Sequence, residues 1–365
     1  MKPLNVGIVG AGQLGRMMAL AGYPLGIRCS FLDKSVDAPA AQVAPILTGA
    51  LEDPALLAEL ASKSDVLTFD WENISGKALA PLESLTKVRP PRAALEVSQD
   101  RLHEKAMFTR LKIPVAEHAA VDSRQDLAEA ARKLRTPGVL KTRRMGYDGK
   151  GQFVVRHPED IDAAWVAIGS PGLIYEKFQS FSMELSIVAA RSPAGDIVYY
   201  PLSANTHGGG ILRYGIAPYA SRALERTAKI YVKRVLSALE YTGVLAMEFF
   251  VVKGRLIANE MAPRVHNSGH WTIEGCVTSQ FENHLRAICG LPLGSTRPLG
   301  HTAMINFLGE MPDRGRLLGI EGLAFHDYGK EPRPGRKLGH CTILRAASRD
   351  RDRALADALK SVKWS

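Results

Sequence analysis

Two carboxylates stand at matching positions of a predicted β-hairpin in the second half of the chain. Glu248 lies in the apolar run LAMEFFVV and Glu260 in LIANEM, with Gly254 midway between them. A three-residue loop centred on Gly254 would place the glutamates directly opposite each other, with Cβ atoms roughly 4.5–5.5 Å apart. Opposed carboxylates repel unless one is protonated or a cation intervenes. Mg²⁺ fits because it binds one or two carboxylates together with phosphate oxygens, whereas the alternative is an edge strand with two solvated glutamates.

A glycine-rich loop follows a strand that ends in a lysine. The sequence GVLKTRRMGYDGKGQFVV predicts a strand ending at Lys141, a loop over residues 146–152 and a second strand. The three glycines of this loop let its backbone approach a ligand closely. It is not a P-loop, because it lacks G-K-[ST] and no helix follows it. We therefore predict a lid over a triphosphate with Lys141 as a phosphate contact, and the alternative is a plain β-hairpin.

The N-terminal region carries a second phosphate-binding pattern. Residues 1–98 alternate strands with helices, which predicts a parallel, doubly wound sheet. The turn at residues 10–15, GAGQLG, follows a buried strand and opens a helix, so its backbone N–H groups could hold a phosphate. Asp33 ends the next strand, where a dinucleotide-binding protein has its ribose acid. A nicotinamide enzyme is one hypothesis, although any mononucleotide phosphate would use the same turn.

Composition excludes several other classes of protein. The 365 residues are 46% hydrophobic and 23% charged, which is typical of a globular enzyme of two or three domains. Four scattered cysteines without a C-x-x-C pair argue against a disulfide scaffold or a zinc site and fit a reducing cytoplasm. We expect no membrane helix, because no apolar run approaches about 20 residues. We also expect no signal peptide, because the first residues lead directly into a strand.

The net charge of +10 leaves two hypotheses, nucleic-acid binding or a pocket for small phosphorylated molecules. The basic residues fall in separate short groups, around 132–144, 330–337 and 345–353. Aromatic residues do not interleave with them as a base-stacking platform would require. We therefore favour small phosphates and expect no nucleic-acid partner.

The order of these motifs resembles the ATP-grasp superfamily and, within it, the N5-carboxyaminoimidazole ribonucleotide synthetases. The resemblance rests on GAGQLGRM, GYDGKGQ, NTHGGGILR, AMEFF, NEMAPRVHNSGHW and GKEPRPGRKLGH, which span residues 10 to 340. It implies an α/β chain, α+β overall, with the ATP-grasp fold. The implied domains are a doubly wound parallel-sheet preATP-grasp domain over 1–98, a small lid domain over 99–178 and a C-terminal mixed-sheet domain over 179–365.

The resemblance implies an ATP-dependent ligase of de novo purine biosynthesis. The γ-phosphoryl group of ATP would pass to bicarbonate. The resulting carboxyphosphate, or CO₂ released from it, would carboxylate the exocyclic amine of 5-aminoimidazole ribonucleotide. Glu248 and Glu260 would hold Mg²⁺, with Mn²⁺ as a substitute. Because the family is usually homodimeric, we expect a homodimer. The scattered cysteines indicate that it is cytoplasmic.

The resemblance also implies roles for individual residues. Those expected to contact ATP are Arg101, Lys141, Gly146, Tyr147, Asp148, Gly149, Lys150, Gly151, Gln152, Glu176, Lys177, Phe178, Gln179, Glu184, His207, Asn259 and Glu260. Bicarbonate and the amine would meet between Tyr147, Asp148, Arg264, His266, Asn267 and Ser268. The 5′-phosphate of the ribonucleotide would lie against Lys330, Arg336 and Lys337, close to Gly12, Gln13 and Leu14. From their own positions, Glu176 could read the amino-bearing ring of a base and Glu184 could accept a ribose hydroxyl.

Four positions qualify the resemblance. Ala262 stands where many ATP-grasp enzymes have a metal-binding Asn, so metal binding would rest on the two glutamates and water. Asn259 has lower weight as a metal ligand, because in a regular strand it faces away from Glu260. Met145 replaces a frequent glycine before the lid, and Asp70 stands where glutamate is commoner.

Three alternatives remain. Another ATP-grasp ligase, such as a formate-dependent glycinamide ribonucleotide transformylase or a biotin-carboxylase-like enzyme, would share Lys141, the lid and both glutamates. It would differ at Tyr147-Asp148 and at residues 266–268. A nicotinamide oxidoreductase leaves the lid and the hairpin unexplained. A non-catalytic nucleotide- or nucleic-acid-binding protein gives no reason for the opposed glutamates.

Overall fold

Three β-sheets that form one after another along the chain organise the fold. The computed structural model describes residues 3–146, 149–169 and 171–364. One sheet lies within each of the segments 1–98, 99–178 and 179–365, whose boundaries stay predictions. Within the described ranges, no helix is both long enough and apolar enough to span a membrane.

The first sheet is parallel and is covered on both faces. Its strands are β1 (Asn5–Val9), β2 (Arg28–Asp33), β3 (Ile46–Thr48), β4 (Val66–Phe69) and β5 (Lys87–Val88), in the order β3-β2-β1-β4-β5. The helices of this segment are α1 (Gln13–Gly22), α2 (Pro54–Ser62), α3 (Gly76–Leu79) and α4 (Arg92–Ser98). Along β1, Val6 and Ile8 pack into one core and Val9 into another. Burial on both faces explains why these strands are apolar runs and confirms the predicted doubly wound sheet.

The second sheet is antiparallel and carries the glycine-rich loop between two of its strands. Its elements are α5 (Arg101–Arg110), β6 (His118–Val121), α6 (Arg124–Leu134), β7 (Gly138–Thr142), β8 (Gln152–Val155), α7 (Ile161–Ile168) and β9 (Leu173–Lys177). The strand order is β6-β9-β7-β8. Lys141 at the end of β7 lies opposite Gln152 at the start of β8, so the loop joins them as predicted. Ser123 caps α6 by accepting a hydrogen bond from the backbone N–H of Asp126.

The third sheet contains nine of the described strands and forms the floor of the site. Its strands are β10 (Met183–Arg191), β11 (Ile197–Tyr199), β12 (Ser203–Gly208), β13 (Ile211–Ala217), β14 (Gly243–Val252), β15 (Arg255–Ala262), β16 (His301–Leu308), β17 (Leu323–Asp327) and β18 (Lys337–Arg345). The helices are α8 (Arg222–Ala238), α9 (Thr272–Gly275), α10 (Gln280–Cys289), α11 (Arg314–Leu318) and α12 (Ser348–Leu359). The main path runs β15-β14-β10-β12-β13-β16-β18-β17, and β11 pairs with β10.

The pairing in the third sheet refines the expectation of a mixed sheet. The pairings between its named strands are all antiparallel. Short connections such as that between β14 and β15 favour this arrangement, because a parallel pair needs a long crossover. Parallel pairing enters at two isolated bridges, Val115 with Ala258 and Leu308 with Trp364.

A buried histidine joins the first sheet to the third. His284 of α10 is fully buried, and its Nε2 lies 2.9 Å from the Thr68 hydroxyl on β4. Its Nδ1 accepts a hydrogen bond of 3.1 Å from the backbone N–H of Val244 on β14. The neutral ring therefore carries its proton on Nε2 and donates it to Thr68. Burial lowers the pKa of His284 to about 3.

We predict that His284 makes the protein less stable as the pH falls. Its folded-state pKa lies below the unfolded value of about 6.5, so only the unfolded chain binds this proton in that interval. The stabilisation is present above the unfolded pKa and declines by up to about 1.4 kcal/mol per pH unit below it. His284→Asn keeps an acceptor for Val244 but cannot be protonated. Thermal unfolding of this variant should therefore depend less steeply on pH between about 7 and 5 than that of the wild type. Equal slopes would contradict the assignment.

Candidate active site

The two hairpin glutamates lie directly opposite each other, as the sequence predicts, but the turn that joins their strands is shorter than expected. Glu248 of β14 pairs with Glu260 of β15. Val252 pairs with Arg255, so the loop has two residues, Lys253-Gly254. Both loop residues have positive φ, at 49° and 74°, which is the combination of a type I′ hairpin turn.

A β-bulge restores the pairing that a two-residue loop alone would lose. In a regular hairpin with this turn, Glu248 would face Asn259. The register shifts after Glu248, and Asn259 is the extra residue on β15. Asn259 and Glu260 are both half-buried and line the same cavity as Glu248, so the expectation that Asn259 faces away does not hold. Among the described residues the buried Oδ1 of Asn259 has no hydrogen-bond partner, which leaves it available to a ligand.

Two adjoining cavities meet at this hairpin. The larger has a volume of about 710 Å³ and the smaller about 310 Å³. The residues that line both cavities are Arg101, Lys150, Glu260, His266, Asn267 and Lys337. The charged and polar residues of this shared wall come from α5, the lid loop, β15 and β18 or from the segments beside them. Two ligands bound in the two cavities would therefore meet at one set of side chains.

Most of the residues predicted to contact ATP line the smaller cavity. They include Lys141, Gly149, Gly151, Gln152, Glu184, His207 and Asn259, and the predicted metal ligand Glu248 lines the same cavity. Lys177, Phe178 and Gln179 are not among the described residues that line either cavity. The Lys177 ammonium instead lies 2.5 Å from Glu117. Tyr147 and Asp148, which were predicted to contact both ATP and bicarbonate, lie outside the described residues.

Gly149 of the lid packs tightly against the glycine turn at residues 208–210. A Cβ atom on Gly149, which has a φ of +75°, would lie 2.5 Å from the carbonyl oxygen of Gly209. His207, just before this turn, has its Nδ1 3.0 Å from Glu184 Oε2. Burial opposes the charge on His207, but Glu184 and the nearby Glu248 outweigh it and raise its pKa. Glycine at position 149 is thus required by close approach as well as by backbone conformation.

Helix α5 supplies three ionisable side chains to the site, of which the sequence analysis found one. Arg101 Nη1 donates to Glu260 Oε2 at 3.2 Å. The buried Glu104 accepts a hydrogen bond of 2.7 Å from the backbone N–H of Met261, the residue directly after Glu260. Lys105 is 1% exposed and pairs with Glu176 on β9. The spacing i, i+3, i+4 places all three on one face of the helix and could have revealed them.

A buried carboxylate is held between two lysines beside the smaller cavity. Glu176 Oε1 lies 3.2 Å from Lys105 Nζ, and its Oε2 lies 3.0 Å from Lys141 Nζ. Burial would raise the pKa of Glu176, but the two lysines outweigh it and lower the pKa to about 2. The carboxylate therefore holds Lys141 in place. This geometry differs from the expectation that the side chain reads a base.

The N-terminal glycine turn and the basic C-terminal turn contact each other in the wall of the larger cavity. Lys330 Nζ donates to Gln13 Oε1 at 2.5 Å, across 317 residues of sequence. Gly12, Leu14, Arg336 and Lys337 line the same cavity, so the residues predicted to bind a 5′-phosphate are together. The concentration of cations and backbone N–H groups suits a phosphate monoester.

Asp33 and Asp70 support the glycine turn. Asp33 Oδ2 accepts a hydrogen bond of 2.7 Å from the backbone N–H of Ala11, and its Oδ1 accepts one of 3.0 Å from Ser35. A Cβ atom on Gly12 would lie 2.6 Å from Asp70 Oδ2, so only glycine permits this contact. Burial raises the pKa of Asp70, while Arg264 opposes the shift. Because it accepts from Ala11, the Asp33 carboxylate is bound to the turn itself, whereas the corresponding acid of a nicotinamide enzyme binds the ribose of its cofactor.

His266 in the loop after β15 is neutral and has a defined tautomer. Its Nδ1 accepts a hydrogen bond of 3.3 Å from the backbone N–H of Ser268 and lies 2.9 Å from the Ser268 hydroxyl. Burial, reinforced by Arg264 and Lys337, lowers the pKa of His266 well below its usual value. The proton of the neutral ring is therefore on Nε2, where it can be donated to an anion. Ser268 is itself buried and acts through this ring.

Arg264 and Asn267 complete the loop. Arg264 Nη2 lies 2.8 Å from Glu72 Oε1 in the segment after β4, and its Nη1 donates to the carbonyl oxygen of Val265. This ion pair ties the loop to the first sheet. Neither polar atom of the buried Asn267 amide has a hydrogen-bond partner among the described residues. Because Asn267 lines both cavities, its amide is suited to bind a ligand at their junction.

The donor set at the hairpin suits a hard divalent cation. Burial and the facing Glu260 raise the pKa of Glu248 to about 7, which is the repulsion that a cation would remove. Within residues 3–146, 149–169 and 171–364, no group of three or more His, Cys, Asp or Glu side chains could hold a metal. A cation at the two glutamates would therefore complete its coordination with phosphate oxygens and water, as Mg²⁺ commonly does.

Models of three protein families match successive parts of the chain. The ribonucleotide synthetase preATP-grasp domain matches residues 1–99, the ATP-grasp domain residues 106–281, and the phosphoribosylaminoimidazole carboxylase C-terminal domain residues 302–354. The N5-carboxyaminoimidazole ribonucleotide synthase of Pseudomonas aeruginosa is 47% identical over 346 residues, which cover 95% of this chain and 96% of that protein.

Solved structures give the same result. The crystal structure of N5-carboxyaminoimidazole ribonucleotide synthetase from Thermus thermophilus matches with a TM-score of 0.94 and 47% identity, over 99% of both chains. The Aspergillus clavatus synthase, in complex with ADP and 5-aminoimidazole ribonucleotide, matches with a TM-score of 0.92 and 30% identity, over 98% of both chains. The chain therefore belongs to the N5-carboxyaminoimidazole ribonucleotide synthase family and is an ATP-dependent ligase with the ATP-grasp fold.

Proposed function

We propose that the enzyme carboxylates 5-aminoimidazole ribonucleotide with bicarbonate, at the expense of ATP, in de novo purine biosynthesis. The products are N5-carboxyaminoimidazole ribonucleotide, ADP and phosphate. The observation that carries this proposal is the shared wall between the two cavities. It allows a nucleotide and a second phosphorylated substrate to meet at Arg101, Glu260, His266 and Asn267.

ATP occupies the smaller cavity, with the lid loop over its phosphates. Lys141, held by Glu176, and Lys150 of the lid line this cavity and can neutralise the triphosphate. Phosphoryl transfer asks a protein mainly for positioning and charge neutralisation, which these cations supply. The close packing of Gly149 on Gly209 supports a lid that excludes water when it is closed.

The ribonucleotide occupies the larger cavity, with its 5′-phosphate between Lys330, Arg336 and the glycine turn at Gly12. This orientation places its aminoimidazole ring toward the shared wall. Arg264, anchored by Glu72, is suited to clamp bicarbonate because a planar guanidinium can bind two oxygens at once. The Nε2–H of neutral His266 can donate to an oxygen of bicarbonate or of carboxyphosphate without giving up its proton.

The reaction proceeds in two steps. A bicarbonate oxygen attacks the γ-phosphorus of ATP, the bond to the ADP oxygen breaks, and carboxyphosphate forms. The exocyclic amine nitrogen then attacks the carboxyl carbon, and the carbon–oxygen bond to phosphate breaks, either in the same step or in an earlier release of CO₂. The nitrogen loses one proton, for which the departing phosphate is an acceptor.

Glu248 and Glu260 would hold Mg²⁺, or Mn²⁺ as a substitute, with Asn259 Oδ1 beside them. The bound cation would neutralise charge on the phosphate oxygens during transfer. Arg101 pairs with Glu260 and so orients this carboxylate relative to the shared wall.

The enzyme acts as a cytoplasmic homodimer. All four cysteines are free thiols, which supports a reducing compartment. Dimerisation rests on the usual state of the family. Light scattering at several protein concentrations would test it.

The function is tested by measuring ADP release with ATP, Mg²⁺ and bicarbonate, with and without 5-aminoimidazole ribonucleotide. We expect the ribonucleotide to increase ADP release, and carbon from labelled bicarbonate to appear in the ribonucleotide. Formate in place of bicarbonate should not support the reaction. No increase with the ribonucleotide would exclude the proposed function, and activity with formate would favour a transformylase.

We predict that Glu260→Gln lowers kcat by at least about 100-fold, the size of loss typical when a group that stabilises transferred charge is removed. The substitution preserves volume, so circular dichroism should show an intact fold. Glu225→Gln is the matched control, because Glu225 is ion-paired with Lys229 on α8 and lies outside both cavities. A near-wild-type rate for Glu260→Gln would refute the metal role.

We predict that Lys105→Met destabilises the protein and that adding Glu176→Gln to it weakens ATP binding. Removing one partner of a buried ion pair costs about 3–5 kcal/mol, because the remaining charge is left without full compensation. Adding Glu176→Gln to this variant should recover part of the stability, yet KM for ATP should rise because Lys141 then loses its anchor. Urea unfolding and ATP saturation curves measure the two effects. Wild-type stability in Lys105→Met would show that the buried network contributes nothing.

A further inference from the structure

We propose that Gln280 is a positioning residue that couples ATP cleavage to carboxylation by clamping the substrate loop, defined as residues 264–270. The inference rests on the proposed function and extends it to a residue outside both cavities. Gln280 is the first residue of α10 and is fully buried. It contacts neither cavity, so any effect on the reaction must pass through the loop.

The Gln280 amide binds the backbone of a single residue at two points. The N–H of His266 donates to Gln280 Oε1 at 3.0 Å, and Gln280 Nε2 donates to the carbonyl oxygen of His266 at 2.7 Å. Together these bonds define which amide atom is oxygen and which is nitrogen. A side chain that satisfies both backbone groups of one loop residue acts as a strand-like partner for it. His266 therefore cannot shift without breaking two buried hydrogen bonds.

The same amide holds the far end of the loop. Gln280 Nε2 lies 3.3 Å from Nδ1 of the buried His270, which must be the acceptor because Nε2 is a donor. The loop backbone passes directly over the amide, since a Cβ atom on Gly269 would lie 2.6 Å from Gln280 Oε1. Thr272 completes the network. Its hydroxyl donates to the carbonyl oxygen of Gly269 at 2.7 Å and accepts from the backbone N–H of Gln280 at 2.9 Å.

Helix α10 gives the clamp a rigid base. His284 lies one turn after Gln280 and is bonded to both β4 and β14. Helix α10 therefore fixes the substrate loop relative to both the first sheet and the glutamate hairpin. The loop itself carries Arg264, His266 and Asn267 at the cavities. Gln280 thus sets these three side chains relative to the hairpin that activates ATP.

Loosening the clamp should uncouple the two steps of the reaction. Phosphoryl transfer uses the loop only to hold bicarbonate and otherwise depends on the lid, Lys141 and the glutamates, none of which Gln280 contacts. Capture of carboxyphosphate depends on the loop, and displacing a reacting group by about 1 Å can cost about 100-fold. A carboxyphosphate that is not captured is hydrolysed, so ADP would still form while carboxylated product would not.

The test measures ADP and carboxylated product in the same reaction, using ¹³C-bicarbonate, for Gln280→Ala and Gln280→Met. We expect the ratio of ADP to product to rise, KM for the ribonucleotide to increase about tenfold, corresponding to about 1.4 kcal/mol, and KM for ATP to stay unchanged. Thermal unfolding reports how much stability each variant loses. A ratio equal to that of the wild type would overturn the proposal.

Asn283→Ala is the matched control. Asn283 lies on the same helix, is equally buried and also loses an amide, but its side chain binds Tyr200 and the backbone of Gly294 instead of the loop. We expect Asn283→Ala to be destabilised while its ratio of ADP to product stays at the wild-type value. An equal rise in that ratio for Asn283→Ala would mean that general loosening, and not the clamp, causes the uncoupling.

Two further measurements keep the outcomes separate. Gln280→Glu preserves volume and the acceptor for His266 N–H, but its carboxylate cannot donate to the His266 carbonyl, so it should uncouple the reaction even if the smaller variants do not fold. In the wild type, hydrogen exchange at the His266 amide should be slow, and exchange as fast as in exposed loops would overturn the clamp. If the wild type itself shows no ribonucleotide-dependent ADP release, the proposed function fails instead.

Discussion

The mutual repulsion of two half-buried carboxylates is the constraint around which the rest of the site is arranged. Glu248 and Glu260 face each other across adjacent strands, and burial raises the pKa of Glu248 to about 7. Such a pair is costly unless positive charge is close by. Arg101 contacts Glu260 directly, and Lys337 lies at the junction of the two cavities. A cation bound between the two carboxylates would remove this repulsion.

Ion pairs lie on one side of the site, and neutral histidines lie in the loop on the other side. On the side of the smaller cavity, Glu176 is paired with both lysines, which fixes Lys141 and compensates the buried carboxylate. In the loop, the half-buried His266 and the buried His270 have pKa values well below the usual range, so both are neutral. In the proposed reaction the neutral His266, beside the Arg264 guanidinium of the same loop, would bind bicarbonate through a hydrogen bond without competing with the lysines for the phosphates. The buried Gln280 amide continues this neutral region into the protein core.

Much of the site could be predicted because its signals are local. Opposed glutamates about a glycine turn, a lysine at a strand end and a glycine-rich loop each lie within a few residues of sequence. Lys105, Glu104 and Gln280 were missed for the opposite reason. A lysine or glutamine on an amphipathic helix normally faces solvent, and although helical spacing can group such residues on one face, only the tertiary partner shows that they are buried in the site. Those partners are Glu176, Met261 and His266, and they lie 14 or more residues away.

The sequence by itself determined the residue types, the glycines that tight turns and close approaches require, and the resemblance that identified the family. Tertiary structure decided which of those residues meet. The bulge at Asn259 shifts the register of the hairpin by one residue, so that the two glutamates lie opposite each other despite the two-residue loop. A hydrogen bond between Lys330 and Gln13, which are 317 residues apart in the sequence, joins two parts of the wall of the larger cavity. Local preferences act over a few residues, whereas contacts between distant residues follow from how buried surfaces pack together, so only the folded chain defines the wall that the two cavities share.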